Sequence, residues 1–280
     1  MTQIAAILGY PLTHSLSPVF QQAAFNHCGL DAHYEAWEVP PEGLEGVVAR
    51  LKSTKVLGAN ITVPHKVVVM PLLNGVEDTA REIGAVNTIV KQEGELVGHN
   101  TDMAGFLRGL KEEGGFEPKG KNVLLLGAGG AARAVAFGLL EAGASRLVIV
   151  NRGADRAQQL AQELVTRFGS RVVARHWEER ADSMKECQLA VNATTLGMLH
   201  GPAERETALI AEDIPEGVLI YDLVYNPLET PLLREARRAG ASVVGGLTML
   251  IYQGAAAFEM WTGRLAPVEI MFQAARRTLA

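Results

Sequence analysis

Short apolar runs bounded by glycine, asparagine, aspartate or proline alternate along the chain with longer stretches in which apolar positions recur every three or four residues. The first pattern suits buried strands and the second amphipathic helices, so their alternation predicts an α/β protein with mostly parallel sheets. In the first hundred residues strands are expected over 4–9, 33–39, 57–62 and 85–90, the last joined to 96–98 by a hairpin turn at Glu93-Gly94. Helices are expected to begin near Pro18, Glu42, Lys66 and Glu77. Residues 103–113 read as a helix capped by Asp102 and broken by Gly114-Gly115 and Pro118-Lys119-Gly120, a natural hinge between two domains. Beyond Lys121 the order is strand to Leu126, a glycine loop, helix 131–142, strand 146–150 and helix 154–168, a right-handed βαβ unit by default. Strands over 172–174, 189–192, 218–221 and 242–244 extend it into a doubly wound sheet. Helices 247–261 and 267–280 close the chain, and at least one is expected to pack back on the first domain.

Composition narrows the class of function. A length of 280 residues suits two domains, each with its own core. The net charge of −5, with Lys and Arg scattered, offers no footprint for nucleic acid or an anionic membrane. The first residues lack a basic region and a long apolar run, and no stretch has membrane-spanning length without a charge, which predicts a cytoplasmic protein. Its partners are then small molecules, with monomer and homodimer both left open. Cys28 and Cys187 read as buried thiols rather than a disulfide, and none of the seven His residues stands at metal-ligand spacing with either, so no metal is expected.

A glycine loop between strand and helix lets backbone approach a pyrophosphate, which the helix N-terminus then holds with free N–H groups and its dipole. Gly127-Ala128-Gly129-Gly130-Ala131-Ala132 is such a loop, with Gly127, Gly129 and Ala132 in the three fingerprint positions. The strand-loop-helix context is what raises this pattern above a mere tight turn. At the end of the next strand an acid would bind the ribose 2′-hydroxyl of NAD, but the chain has Asn151-Arg152 with Arg156 one turn on. Cations in the first turn of a helix oppose its dipole, and a 2′-phosphate would supply the compensation, so NADP is the expected cofactor.

Chemistry concentrates in the first domain. Asn60-Ile61-Thr62-Val63-Pro64-His65-Lys66 and Asn100-Thr101-Asp102 end two apolar segments, with Asn87 at a third strand. Taken singly, Lys66 reads as a solvated lysine and Asp102 as a helix cap. Together they lie where open α/β sheets bind ligands. Carbonyl reduction by a nicotinamide needs a proton for oxygen as hydride reaches carbon, and Lys66 suits that task in both directions. Ser15 and Ser17 stand two apart before Pro18; Ser17 reads as an N-cap, and the two hydroxyls at a helix N-terminus make a carboxylate site. The substrate is then a small polyhydroxylated acid.

These residues strongly resemble the shikimate dehydrogenase family over essentially the whole chain. The matching elements are Ser15-Leu16-Ser17-Pro18, Asn60-x-Thr62-x-Pro64-x-Lys66, Gly84-Ala85-Val86-Asn87-Thr88, Asn100-Thr101-Asp102, the glycine loop, Asn151-Arg152, Asp222-x-x-Tyr225-Asn226-Pro227, and Gly246-Leu247-x-Met249-Leu250-x-x-Gln253. The resemblance implies an NADP-dependent oxidoreductase interconverting 3-dehydroshikimate and shikimate on the route to chorismate and the aromatic amino acids. It implies a catalytic domain of residues 1–102 plus 247–280 and a dinucleotide domain of 103–246. Carried over, Lys66 is the acid/base residue and Asp102 its partner; Ser15 and Ser17 hold the carboxylate; Thr62, Asn87 and Gln253 bind ring hydroxyls; Asn60 and Tyr225 support the pocket. Cofactor contacts fall to Gly127, Ala128, Gly129, Gly130, Ala131, Asn151, Arg152, Arg156 and Thr194, with Leu223, Gly246 and Met249 near the nicotinamide and Asp78 near the cofactor. Two departures stand out: Gly153 where the family often has Thr, which removes a donor to the 2′-phosphate, and Thr195 where it often has Ser. A quinate/shikimate or aminoshikimate dehydrogenase is the alternative within the family, and a non-catalytic NADP-binding regulator the alternative outside catalysis. The regulator should have lost Lys66 or Asp102, and this chain keeps both.

Overall fold

The computed structural model describes residues 2–13 and 15–279. The chain forms two compact units, one running to Gly105 and resuming at Ile251, the other spanning Phe106–Leu250.

The first unit holds strands β1 (Gln3–Gly9), β2 (Ala32–Glu38), β3 (Val56–Ile61), β4 (Gly75–Val76), β5 (Thr88–Gln92) and β6 (Glu95–His99), with helices α1 (Ser17–His27), α2 (Leu44–Arg50) and α3 (Asp78–Ile83). The sheet order is β2-β1-β3-β5-β6-β4. β1 runs parallel to β2 and β3, whereas β3, β5 and β6 alternate in direction. The hairpin expected at Glu93-Gly94 is present, and both residues have positive φ (52° and 87°), as a tight two-residue turn requires. Leu8, Leu51, Ile61, Ile89 and Leu96 fill the core beneath the sheet.

The helix expected to begin near Lys66 does not form. Residues 63–69 make turns that lead into a single 3₁₀ turn, Met70–Leu72, and the short β4. Pro64 and Pro71 bracket three β-branched valines, a combination that disfavours α-helix, and two of the three, Val67 and Val68, are exposed rather than packed.

Helix α4 (Asp102–Glu112) carries the chain onward. The second unit contains β7 (Asn122–Leu126), α5 (Gly130–Glu141), β8 (Arg146–Val150), α6 (Ala154–Phe168), β9 (Val172–Arg175), α7 (Arg180–Lys185), β10 (Leu189–Asn192), β11 (Leu219–Asp222), α8 (Pro231–Arg238) and β12 (Ser242–Val244). All six strands are parallel in the order β12-β11-β10-β7-β8-β9. Strand order reverses between β7 and β10, so the turn after β7 opens at the switch point where such sheets bind nucleotides. α7 and α8 are short and are not among the expected helices, although Thr230, Pro231 and the inward Leu232, Leu233 and Ala236 mark α8.

α9 (Gly246–Thr262) and α10 (Val268–Leu279) close the chain. α10 packs on α1, and the Phe25 and Phe258 rings meet at 5.5 Å, so the closing helices do return to the first unit. No helix among the described residues is long and apolar enough to cross a membrane.

Candidate active site

Strand β3 delivers Asn60 into the interior at 5 % exposure, and the turn that follows carries Thr62 and Lys66. Three backbone bonds fix that turn: the Thr62 N–H donates to the Leu8 carbonyl (2.9 Å), the His65 N–H to the Thr62 carbonyl (2.9 Å), and the Val86 N–H to the Lys66 carbonyl (2.8 Å). His65 is fully buried, its Nε2 2.6 Å from the Val39 carbonyl oxygen, so it anchors the turn from below. Lys66 is thereby held at the start of β5 without any helix.

Its ammonium donates to Asp102 Oδ2 at 2.6 Å, and both side chains are largely withdrawn from water (14 % and 6 % exposed). Withdrawing two charges is costly unless their remaining hydrogen-bonding capacity is met. Asn87 meets it on the acid's side: its Nδ2 donates to Asp102 Oδ1 at 2.9 Å. The Thr101 backbone N–H donates to Asn87 Oδ1 at 2.7 Å, which dictates the orientation of that amide. The same Nδ2 lies 3.2 Å from Gln253 Oε1 and 2.9 Å from Thr101 Oγ1. The first unit therefore unites Lys66, Asp102, Asn87 and Gln253, the last delivered from the far end of the sequence.

Two expectations about caps are corrected by the geometry. Asp102 is not the cap of α4; Asn100 Oδ1 accepts the Met103 N–H (3.3 Å), which leaves the Asp102 carboxylate for Lys66 and Asn87. At α1 Ser17 is likewise not the cap: Leu16 holds the N-cap position, the helix has no side-chain cap, and the Ser17 N–H reaches Ser15 Oγ at 3.4 Å. Ser17 is buried beside Tyr34, and Ser15 is half-buried.

Three members of the network carried no signal strong enough to be singled out. Thr88 and Thr101 stand within quoted motifs, 3.1 Å apart through their hydroxyls, yet hydroxyls beside asparagines on apolar strands are common. Tyr34 donates to Asn60 Oδ1 at 2.7 Å from β2, a strand whose alternation marks only that it faces inward. Burial holds the Tyr34 phenol well above its usual range, opposed in part by the nearby Ser17 hydroxyl. Asp78 takes no part in this network: it is exposed and ion-paired with Arg81 at 2.7 Å.

In the second unit the glycine loop follows β7 directly. Gly127 has φ of 115°, and a β-carbon there would lie 2.8 Å from the Ala193 carbonyl oxygen, so a side chain is excluded twice. A β-carbon on Gly129 would meet open space, and α5 begins with no side-chain cap, leaving its first N–H groups facing that space with Ala128, Gly130 and Ala131 around them. This is a cradle for a phosphate. After β8, Asn151 Nδ2 donates to the Gly153 carbonyl (2.9 Å), while Arg152 and Arg156 are exposed and form no ion pair among the described residues. Two unpaired guanidiniums beside the loop fit a further phosphate, so the residues present suit NADP.

Thr194 is folded onto Asn192, its hydroxyl donating to Asn192 Oδ1 at 2.6 Å. Asn192 Nδ2 in turn donates to Asp222 at 2.8 Å. Asp222 also accepts from Thr230 Oγ1 (2.6 Å) and the Val224 N–H (3.0 Å), but burial outweighs these bonds and raises its carboxyl to about 6. This knot holds the strand end on which Leu223 and Tyr225 lie; burial raises the Tyr225 phenol. A β-carbon on Gly246 would collide with the Leu223 carbonyl, so Gly246 and Leu223 are adjacent, with Met249 buried one turn along α9. No group of three or more acidic, His or Cys side chains among the described residues has metal-binding geometry, and Cys28 and Cys187 are both free.

Comparison with known proteins is consistent along the whole chain. Residues 7–89 match the shikimate dehydrogenase substrate binding domain, 111–219 the shikimate/quinate 5-dehydrogenase domain, and 246–276 the shikimate 5′-dehydrogenase C-terminal domain. A shikimate dehydrogenase (NADP(+)) of Moorella thermoacetica is 48 % identical over 280 residues, covering 99 % of this chain and 94 % of the relative. That of Methanopyrus kandleri is 46 % identical over 276 residues, covering 98 % and 94 %. Among solved structures, shikimate 5-dehydrogenase of Thermus thermophilus in complex with NADP(H) and shikimate superposes with a TM-score of 0.87 at 44 % identity, covering 99 % of this chain and all of that one.

Proposed function

The chain belongs to the shikimate dehydrogenase family, and on that premise we infer that it catalyses the NADP-dependent, reversible reduction of 3-dehydroshikimate to shikimate. The single observation that carries the chemistry is the Lys66–Asp102 contact of 2.6 Å with Asn87 on the other carboxylate oxygen. NADPH, when bound, supplies the hydride for the carbonyl carbon.

The side chains do the rest. In reduction the Lys66 ammonium gives one proton to the oxygen that becomes the new hydroxyl, and in oxidation the neutral amine takes it back. Asp102 directs the amine by accepting a hydrogen bond from it, and Asn87 keeps the carboxylate from turning away. Ser15 and Ser17 hold the substrate carboxylate through hydroxyl and helix N-terminus; Thr62, Asn87 and Gln253 read ring hydroxyls, and Asn60 and Tyr225 support the pocket. Gly127, Ala128, Gly129, Gly130 and Ala131 take the pyrophosphate, with Thr194 beside them. Asn151, Arg152 and Arg156 take the 2′-phosphate, Leu223, Gly246 and Met249 flank the nicotinamide, and Asp78 stays a peripheral cofactor contact. The two domains assigned to these tasks are residues 1–102 plus 247–280 and 103–246.

The test is a comparison of kcat/KM for shikimate and quinate, each with NADP and with NAD. Preference for shikimate with NADP by tenfold or more over each other pairing is expected. Higher kcat/KM on quinate, or with NAD, would replace this reading with that of a quinate/shikimate enzyme. Binding of NADP without oxidation of any cyclohexene acid would favour the regulator.

A further inference from the structure

Tyr34 rises from β2 into the interior of the first unit at 6 % exposure. Its ring lies 6.1 Å from that of Trp261, whose indole N–H is fixed on the Ile89 carbonyl at 3.0 Å. The ring is thus held, and its oxygen reaches a group already placed in the site. It donates to Asn60 Oδ1 at 2.7 Å.

The donor directions on this wall all run the same way. Asn60 Nδ2 donates to Thr88 Oγ1 (3.2 Å), and its proximity to the Asn87 carbonyl (3.4 Å) prevents the amide from turning over. Thr88 Oγ1 donates to Asn87 Oδ1 (3.2 Å), and Asn87 Nδ2 donates to Asp102 Oδ1 (2.9 Å). A string of hydrogen bonds therefore leads from Tyr34 through Asn60, Thr88 and Asn87 to Asp102.

We propose that Tyr34 is a positioning residue for this reaction: its hydroxyl fixes the Asn60 amide and so sets the orientation of the wall that faces the substrate's ring. The proposal rests on the function inferred above. A hydroxyl is required here because Asn60 Oδ1 must have a donor; phenylalanine keeps the packing on Trp261 but leaves Asn60 Oδ1 without it. Such a loss acts on ground-state binding of the acid more than on proton transfer, so it should appear in KM.

The experiment is steady-state oxidation of shikimate with NADP by the unsubstituted enzyme, Tyr34→Phe, Asn60→Ala and the double variant. Oxidation by the unsubstituted enzyme comes first, since its absence would remove the function itself and leave nothing for Tyr34 to position. Given that activity, Tyr34→Phe should raise the KM for shikimate about tenfold while kcat stays within about threefold and the KM for NADP within about twofold. In the Asn60→Ala background the same substitution should add less than about threefold, because Tyr34 acts through Asn60. Should Tyr34→Phe not fold, Asn60→Ala alone should raise the KM for shikimate about tenfold. The proposal is overturned by a Tyr34→Phe KM within twofold of the unsubstituted enzyme, by an equal effect in both backgrounds, by a parallel rise in the KM for NADP, or, where only Asn60→Ala can be measured, by an unchanged KM.

Discussion

Asp222→Asn should make this protein more stable at neutral pH and less stable in mild acid. Asp222 is fully buried, and its carboxyl is raised from 3.8 to about 6, with burial the largest cause and the bonds from Thr230, Val224 and Asn192 opposing it. The sign follows from where the protons sit. Below pH 4 the acid is protonated in both folded and unfolded chains and contributes nothing. Between about 4 and 6 the unfolded chain loses its proton while the folded one keeps it, so stability falls as pH rises through this window. Above about 6 the folded chain carries a buried carboxylate and the loss is complete. A shift of roughly two units corresponds to about 3 kcal/mol. Asparagine imitates the protonated acid: Oδ1 still accepts from Asn192 and Val224, but Nδ2 leaves the Thr230 proton without its acceptor, at about 1 kcal/mol. The variant should therefore be about 1 kcal/mol less stable than the parent at pH 4 and about 2 kcal/mol more stable at pH 7. Thermal melts of both proteins at each unit of pH from 4 to 7 measure the difference, in which other titrating groups cancel. A difference that does not change with pH would refute the reasoning, because it would mean that Asp222 is ionised when folded throughout.

Replacing both Arg152 and Arg156 with Ala should raise the KM for NADP by about tenfold or more while that for NAD changes little, measured by initial rates with shikimate. Asn100→Ala removes the side-chain bonds to the Met103 N–H and the Ala85 carbonyl and should cost about 1 kcal/mol or more, read by thermal melting; an unchanged melting temperature would mean that Asn100 does not cap α4. Gly246→Ala drives a β-carbon into the Leu223 carbonyl and should cost about 1 to 3 kcal/mol of stability, checked by the same melts.

Alternating apolar runs and amphipathic stretches were enough to place the parallel sheet of the second unit, because buried parallel strands are apolar throughout and their borders carry Gly or Asn. The first unit was harder to read where propensity and tertiary context pull apart. The segment after Lys66 looked helical by position, yet its prolines and valines settle into turns tied to neighbouring strands. α7 is too short for its apolar spacing to stand out, whereas α8 carried a cap at Thr230, Pro231 at its first position and an apolar face of Leu232, Leu233 and Ala236. In the site, Asn60, Asn87, Lys66 and Asp102 were legible as polar side chains on apolar elements. The capping role of Asn100 was not, since a residue before a helix and one two positions earlier look equally fit. Tyr34 and Thr88 were hidden for a different reason: an inward tyrosine or threonine on a strand signals packing until its hydroxyl's partners are known.

The central claim is that Lys66 moves the proton. Lys66→Met keeps the length of the side chain and removes the ammonium, and the decisive measurement is kcat for shikimate oxidation with NADP, with binding of both ligands followed separately. Proton transfer by Lys66 predicts that kcat falls by about 10² to 10⁴ while the KM for shikimate changes far less. Turnover by the variant within about tenfold of the unsubstituted enzyme would contradict it, and would leave the Lys66–Asp102 pair as a structural ion pair.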